Sequence, residues 1–261
     1  MAKRVKQENQ GSDTQETPEQ KKVSDALKKM AEGEHGRESI RETCSVPLET
    51  LVAGINLSNL RYNPEYKRYE SRDYNANVSW DRGEGHPIGQ KYIDFLLVAV
   101  TKPGVEKFMK AVANTILVDL GANSCNSYFL ARALGARGYI GVDKFNPGEE
   151  DDFNEAFSTE LWEKKLKNKN NVPLAVVQED MLTFLKRLPD NSVSILTTGI
   201  QIGIKGNYSS QVEREIARVL DPKGAYLTYA SVFEPKELKK EEPQIQGQTD
   251  EVSHTFFKFT K

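Results

Sequence analysis

Beyond residue 115, short apolar runs alternate with stretches whose apolar residues recur at helical spacing. ILVDL, YIGVD, LAVVQED, VSILTT and AYLTYAS read as strands. FLARAL, the stretch containing FSTELWEKKL, MLTFLKRL and QVEREIARVL read as helices. Such alternation implies right-handed βαβ units and a doubly wound, mostly parallel sheet. The run HTFFKFTK follows a charged, proline-bearing loop, PKELKKEEPQ. It predicts one more strand, antiparallel, at the edge or in the interior of the sheet. Upstream, YIDFLLVAV and EKFMKAVAN read as helices, separated by Pro103 and Gly104.

The pattern divides the chain into three parts. Residues 1–42 are polar, with too few large apolar side chains to offset the entropy of ordering them. They read as a disordered tail, with a short helix at VSDALKKMA, where Val23, Leu27 and Met30 lie about one turn apart. Residues 43–110 read as an N-terminal helical cap and a candidate lid. Leu48, Leu51, Val52, Ile55 and Leu60 would dock that cap. Tyr62, Tyr66, Tyr69 and Tyr74 are interleaved with Arg61, Lys67, Arg68 and Arg72. Three readings stay open there: rings packed with their cations in water, a loop closing on a small molecule, or a surface that stacks bases. Residues 111–261 read as a cofactor-binding α/β domain.

Composition narrows the function classes. The net charge of −2 gives no overall basic field to draw nucleic acid. Mean hydropathy is −0.61, low for a folded domain and in keeping with a polar tail. Two cysteines, Cys44 and Cys125, do not make a disulfide framework or a thiolate metal site, and a reducing cytoplasm is the simplest setting. No apolar run approaches the ~20 residues of a membrane span.

The densest chemistry lies in ILVDLGANSCNSYFLARAL. A strand ends near Asp119, a turn begins at Gly121, and a helical pattern resumes. Strand, tight loop and helix build ligand sites at the carboxyl end of parallel strands. Aligned on Gly121, the dinucleotide pattern G-x-G-x-x-G falls on Asn123 and Asn126, so a nicotinamide or flavin dinucleotide is disfavoured. The P-loop ending Gly-Lys-Ser/Thr is absent. Asp143 ends the next strand, about 20 residues on, where a carboxylate can accept from both hydroxyls of a ribose. Asp180 ends LAVVQED, where an acid can accept from an adenine amino group. Each of these acids can instead be the N-cap of the helix that follows.

Taken together, residues 115–232 resemble the class I S-adenosylmethionine-dependent methyltransferase family. VDLGANS is similar to its glycine motif, GVDKF to its ribose motif, and QEDMLTFLKRLPDNSVSILTT to its adenine motif. EIARVLDPKGAYLTYAS is similar to its late helix–turn–strand, with Pro222 and Gly224 in the turn. The resemblance implies a Rossmann-like α/β fold, doubly wound, with a mostly parallel seven-stranded sheet and an antiparallel C-terminal strand. It implies S-adenosylmethionine as cofactor, held by Asp119, Gly121, Ala122, Asn123, Asp143, Lys144, Asp180, Met181 and Thr198. The family usually has glycine where this chain has Asn123, and often where it has Cys125. SILTTGIQ lacks the Asn/Asp-Pro-Pro-aromatic signature associated with amino-methylation of nucleobases or glutamine.

No residue stands out as the catalyst. His86, Tyr208 and residues near Thr198 and Gln201 are candidate bases or orienters. The acidic run 149–152 reads as a solvated loop rather than a metal site. The expected activity is methyl transfer to an acceptor the sequence does not identify. The alternatives are a non-catalytic methyltransferase-like protein that binds a cofactor or partner, and another α/β enzyme with a nucleoside cofactor.

Overall fold

The computed structural model describes residues 44–71, 110–122, 125, 127–144, 171–197, 206–229, 233–240, 245–248 and 253–261. All of them lie in one unit, Arg37–Lys261. Five strands form the centre of a sheet: β3 (Ile116–Leu120), β4 (Gly138–Asp143), β5 (Leu174–Gln178), β6 (Ser194–Thr197) and β7 (Tyr226–Tyr229). Neighbours in the order β5-β4-β3-β6-β7 are parallel. Their side chains are apolar on both faces, as a sheet covered on both sides requires. β3 is buried along its whole length.

The strand β10 (Ser253–Thr260) pairs antiparallel with β7, and beyond it lie β8 (Lys239–Lys240) and β9 (Ile245–Gln248). The terminal apolar run therefore enters the interior of the sheet. Part of the segment expected as a charged loop supplies β8. At the other side β2 (Arg68–Ser71) pairs parallel with β5, and β1 (Leu60–Asn63) pairs antiparallel with β2. The doubly wound, mostly parallel architecture stands as expected. The described sheet has ten strands rather than seven.

The cap differs from the helical segment expected over 43–110. Its described part holds the short helix α1 (Leu48–Leu51) and then the β1–β2 hairpin. Leu48, Leu51, Val52, Ile55 and Leu60 do dock, and they belong to the same core as Ile140 and Val177. The hairpin is anchored by Leu60 at the start of β1 and by Arg68 and Tyr69 at the start of β2, all buried. Tyr69 is buried, and its hydroxyl accepts from the Leu48 N–H at 3.2 Å. Tyr62 and Tyr66 are exposed, and the Arg68 guanidinium lies 4.8 Å from the centre of the Tyr66 ring. Packing thus explains Tyr69 and Arg68. Residues 72–109, with the YIDFLLVAV helix, lie outside the described residues, as do the 1–42 tail and FSTELWEKKL; of EKFMKAVAN, 110–114 are described, with 110–113 helical.

Three helices follow the sequence expectation: α2 (Ser127–Leu134), α3 (Met181–Arg187) and α4 (Asn207–Val219). On α4, Val212, Ile216 and Val219 are buried at helical spacing while Arg214 is exposed. The turn before β7 closes with the Gly224 N–H donating to the Asp221 carbonyl at 2.8 Å. A side chain at Gly224 would meet Ser194 Oγ at 2.6 Å, so glycine is needed there. Among the described residues, no helix is long and apolar enough to cross a membrane.

Candidate functional site

The chain runs β3 to β4 to β5 toward one side, then returns past β3 to lay down β6 and β7 on the other. The strand order reverses at β3. Open α/β sheets bind ligands in the crevice at the carboxyl ends of strands beside such a reversal. Gly121, Asp143 and Asp180 all follow carboxyl ends of adjacent strands here. Main-chain bonds tie the three loops together. The N–H groups of Gly121 and Ala122 donate to the Val142 carbonyl at 2.9 and 3.1 Å. The Glu179 N–H donates to the Asp143 carbonyl at 2.9 Å.

Gly121 has φ +73°, which only glycine adopts without cost. Ala122 is buried beside it. Cys125 also sits in the left-handed region, at φ +59°, and is fully buried. It is the small packed residue expected at the helix start. Its thiol fills space above Gly141, where a Cβ would come within 2.5 Å of Sγ. The adjacent strand β4 thus has a glycine, Gly141, that makes room for the cysteine.

Asp119 lies one residue before the end of β3, and its carboxylate has no exposed surface. It accepts a close hydrogen bond from Ser127 Oγ and another from the Tyr139 hydroxyl at 3.1 Å. Ser127 opens α2, so the carboxylate anchors the loop to its helix. Burial, with the Asp119 charge next, pushes the Tyr139 phenol well above its ordinary range. It therefore stays a neutral donor.

Asp143 closes β4 opposite Gln178 and is half-buried. Lys144 follows it. Burial lowers the Lys144 ammonium, against the opposing pull of Asp143 and Asp180. Asp143, Lys144 and Asp180 therefore form one electrostatic cluster.

Asp180 is the N-cap of α3. Its Oδ1 accepts from the N–H groups of Leu182 and Thr183 at 3.0 and 3.1 Å. The capping alternative weighed on the sequence is thus realised. Its Oδ2 accepts from the Tyr208 hydroxyl at 2.6 Å. Burial, then the bond to Asp180, raises the Tyr208 phenol. Tyr208 is thus a protonated hydrogen-bond donor to Asp180. Met181 begins α3 and packs, partly buried, on the core. Asn123, Thr198, His86, Gln201 and the acidic run 149–152 lie outside the described residues.

Sequence reasoning missed Glu179 and Arg187. Glu179 Oε2 and Oε1 accept from Arg187 Nε and Nη2 at 2.7 and 2.6 Å. Both side chains are buried. An acid just past an apolar strand and an arginine at the end of a helix carry no joint signal until the fold is known.

Comparison with known proteins adds the following. No protein-family model matches the chain, and no curated relative does. Among solved structures it is similar to an arsenic(III) S-adenosylmethionine methyltransferase from Chlamydomonas reinhardtii, with 15% identity, 65% of this chain and 73% of that one covered, and a TM-score of 0.37. It is similar to a TehB-like SAM-dependent methyltransferase from Corynebacterium glutamicum, with 12% identity, 65% and 87% covered, and a TM-score of 0.40. It is similar also to a ribosomal protein L11 methylase from Lactobacillus delbrueckii subsp. bulgaricus, with 13% identity, 64% and 79% covered, and a TM-score of 0.39. Likenesses of this size carry no argument about the site. The α/β, doubly wound class rests on the strand order itself.

Proposed function

We propose that the chain transfers the methyl group of S-adenosylmethionine to an acceptor still to be identified. One observation carries the reading. The Gly121 turn, Asp143 and Asp180 lie at or just past the ends of three adjacent parallel strands at the reversal of strand order, and main-chain bonds from Gly121 to Val142 and from Glu179 to Asp143 join those strand ends. A glycine turn and two acids in this order match the order in which the sequence resembles the family's methionine, ribose and adenine motifs.

When bound, the cofactor would supply an activated methyl group for transfer to a nucleophilic atom of the acceptor. The chain's residues would bind and orient. Asp143 would accept from the ribose hydroxyls. Asp180 Oδ2 accepts from Tyr208 and has a second lone pair with which it would accept from an adenine amino group. Asp119 would act through Ser127, by holding the loop. Alignment and exclusion of water supply much of the rate in such a transfer.

The non-catalytic alternative is favoured by one feature. Asp180 is already engaged by its helix and by Tyr208, so a partner could use the crevice without any cofactor. Calorimetric titration with S-adenosylmethionine decides whether the cofactor binds. Transfer of labelled methyl to candidate acceptors decides whether it turns over. No binding to the wild-type chain overturns the proposal; binding with no transfer across acceptor classes favours the alternative. Asp143→Ala should cost about 1–3 kcal/mol of cofactor affinity through loss of a charged acceptor. Unchanged affinity in that variant removes Asp143 from the site.

A further inference from the structure

We propose that the buried Glu179–Arg187 pair is a positioning device that fixes Asp143 and Asp180 together; this rests on the nucleoside-binding reading of those two acids. Glu179 lies between the end of β5 and the cap of α3. Its main-chain N–H holds the Asp143 carbonyl at 2.9 Å. The next residue is Asp180 itself. Whatever fixes Glu179 therefore fixes both acids.

Its side chain is fixed by a two-pronged guanidinium contact, at 2.7 and 2.6 Å. The same guanidinium reaches the other way. Its Nη1 donates to the Asn56 carbonyl at 3.1 Å and closely to the Ser58 carbonyl. The Asn56 N–H in turn donates to the Arg187 carbonyl at 3.0 Å. Arg187 thus links the N-terminal segment, the end of α3 and the residue between the two acids. The arrangement needs a planar fork with several fixed donors, which lysine lacks.

Stability alone does not account for such a pair. Buried ion pairs are often matched or bettered by well-packed apolar residues. Their distinctive product is a fixed geometry. Ligand-holding groups lose affinity steeply when their supporting contacts loosen.

The test uses the full chain and S-adenosylhomocysteine as probe. Arg187→Met should weaken binding about tenfold or more, and Arg187→Lys should rescue part of that loss. Glu179→Gln, which retains shape and an acceptor, serves if Arg187→Met does not fold, and should weaken binding about threefold. Phe184→Leu, buried on the same helix and with no side-chain hydrogen bond to the pair, is the control for lost stability and should bind within about twofold of wild type. The Glu179 amide should exchange faster with solvent deuterium in Arg187→Met than in the control. Binding within twofold of wild type by Arg187→Met, or equal weakening by Phe184→Leu, overturns the proposal. Wild-type chain that ignores the probe overturns the cofactor reading instead; the exchange rate then decides whether the clamp exists.

Discussion

Gly141→Ala offers a sharp test of how the glycine loop is built. A methyl group there would sit 2.5 Å from Cys125 Sγ, 3.2 Å from Tyr139 Cε1 and 3.3 Å from Ala122 Cβ. Comfortable contact between such atoms lies near 3.5–4.0 Å, so the thiol must retreat by about 1 Å. Cys125 is fully buried, so any retreat displaces core neighbours. Overpacking of this kind costs about 1–3 kcal/mol. For a domain of this size, each kcal/mol lowers the melting temperature by about 2–4 °C. Removing the thiol should remove the clash. Cys125→Gly alone relieves a left-handed backbone, worth about 1–2 kcal/mol, and gives back a similar amount in lost packing and added chain entropy. It should be near neutral. The double variant Cys125→Gly/Gly141→Ala should therefore be more stable than Gly141→Ala alone. Thermal and urea melts of the four chains form a double-mutant cycle. Additive losses, with no recovery in the double variant, would show that the two positions do not share the space described.

Other expectations follow from single contacts. Asp180→Ala should destabilise the fold by about 0.5–2 kcal/mol through loss of the α3 cap, whereas Asp180→Asn should retain most of that, as urea melts will report. Tyr208→Phe should lower stability by about 1.5–3 kcal/mol, the range for a hydrogen bond to a charged group; an unchanged midpoint would sever α4 from Asp180. Leu48→Ala should cost about 2–5 kcal/mol, because Leu48 is wholly buried in the main core; a loss below 1 kcal/mol would detach the N-terminal segment from the fold. Tyr128, Tyr139, Tyr208 and Tyr226 are all raised above the ordinary 10.0, chiefly by burial. Their neutral forms favour the native state. That contribution is complete below pH 10 and is lost as pH rises through the folded values, so phenolate absorbance should lag in alkali and then jump on unfolding.

Much of the fold was legible because burial on both faces leaves a continuous apolar signal. ILVDL and YIGVD could be read as strands on that ground alone. FFKFTK was legible as a strand but not as to place, since its neighbours are set by pairing across the chain. The β1–β2 hairpin was missed for a related reason. Only Leu60, Arg68 and Tyr69 are buried there, and its tyrosines and arginines resemble a loop. At the site, Gly121 and Asp143 were read from position relative to strand ends, and both fall at those ends. Asp119 was read as a ligand group, yet its surroundings depend on Tyr139, which lies 20 residues on. Tyr208 was a bare candidate until the fold brought it to Asp180 across 28 residues. Contacts of that separation leave no trace in local spacing.

One strand governs how this sheet is finished. β10 follows β8 and β9 along the chain but stands between them and β7. Those two earlier strands therefore have to wait, unzipped from the central sheet, until a later one slots into the gap. Closure of that flank is a long-range event, and such events set the slow step in folding. The same wedge makes the final stretch of backbone a keystone: pulled out, it would release two more strands along with itself.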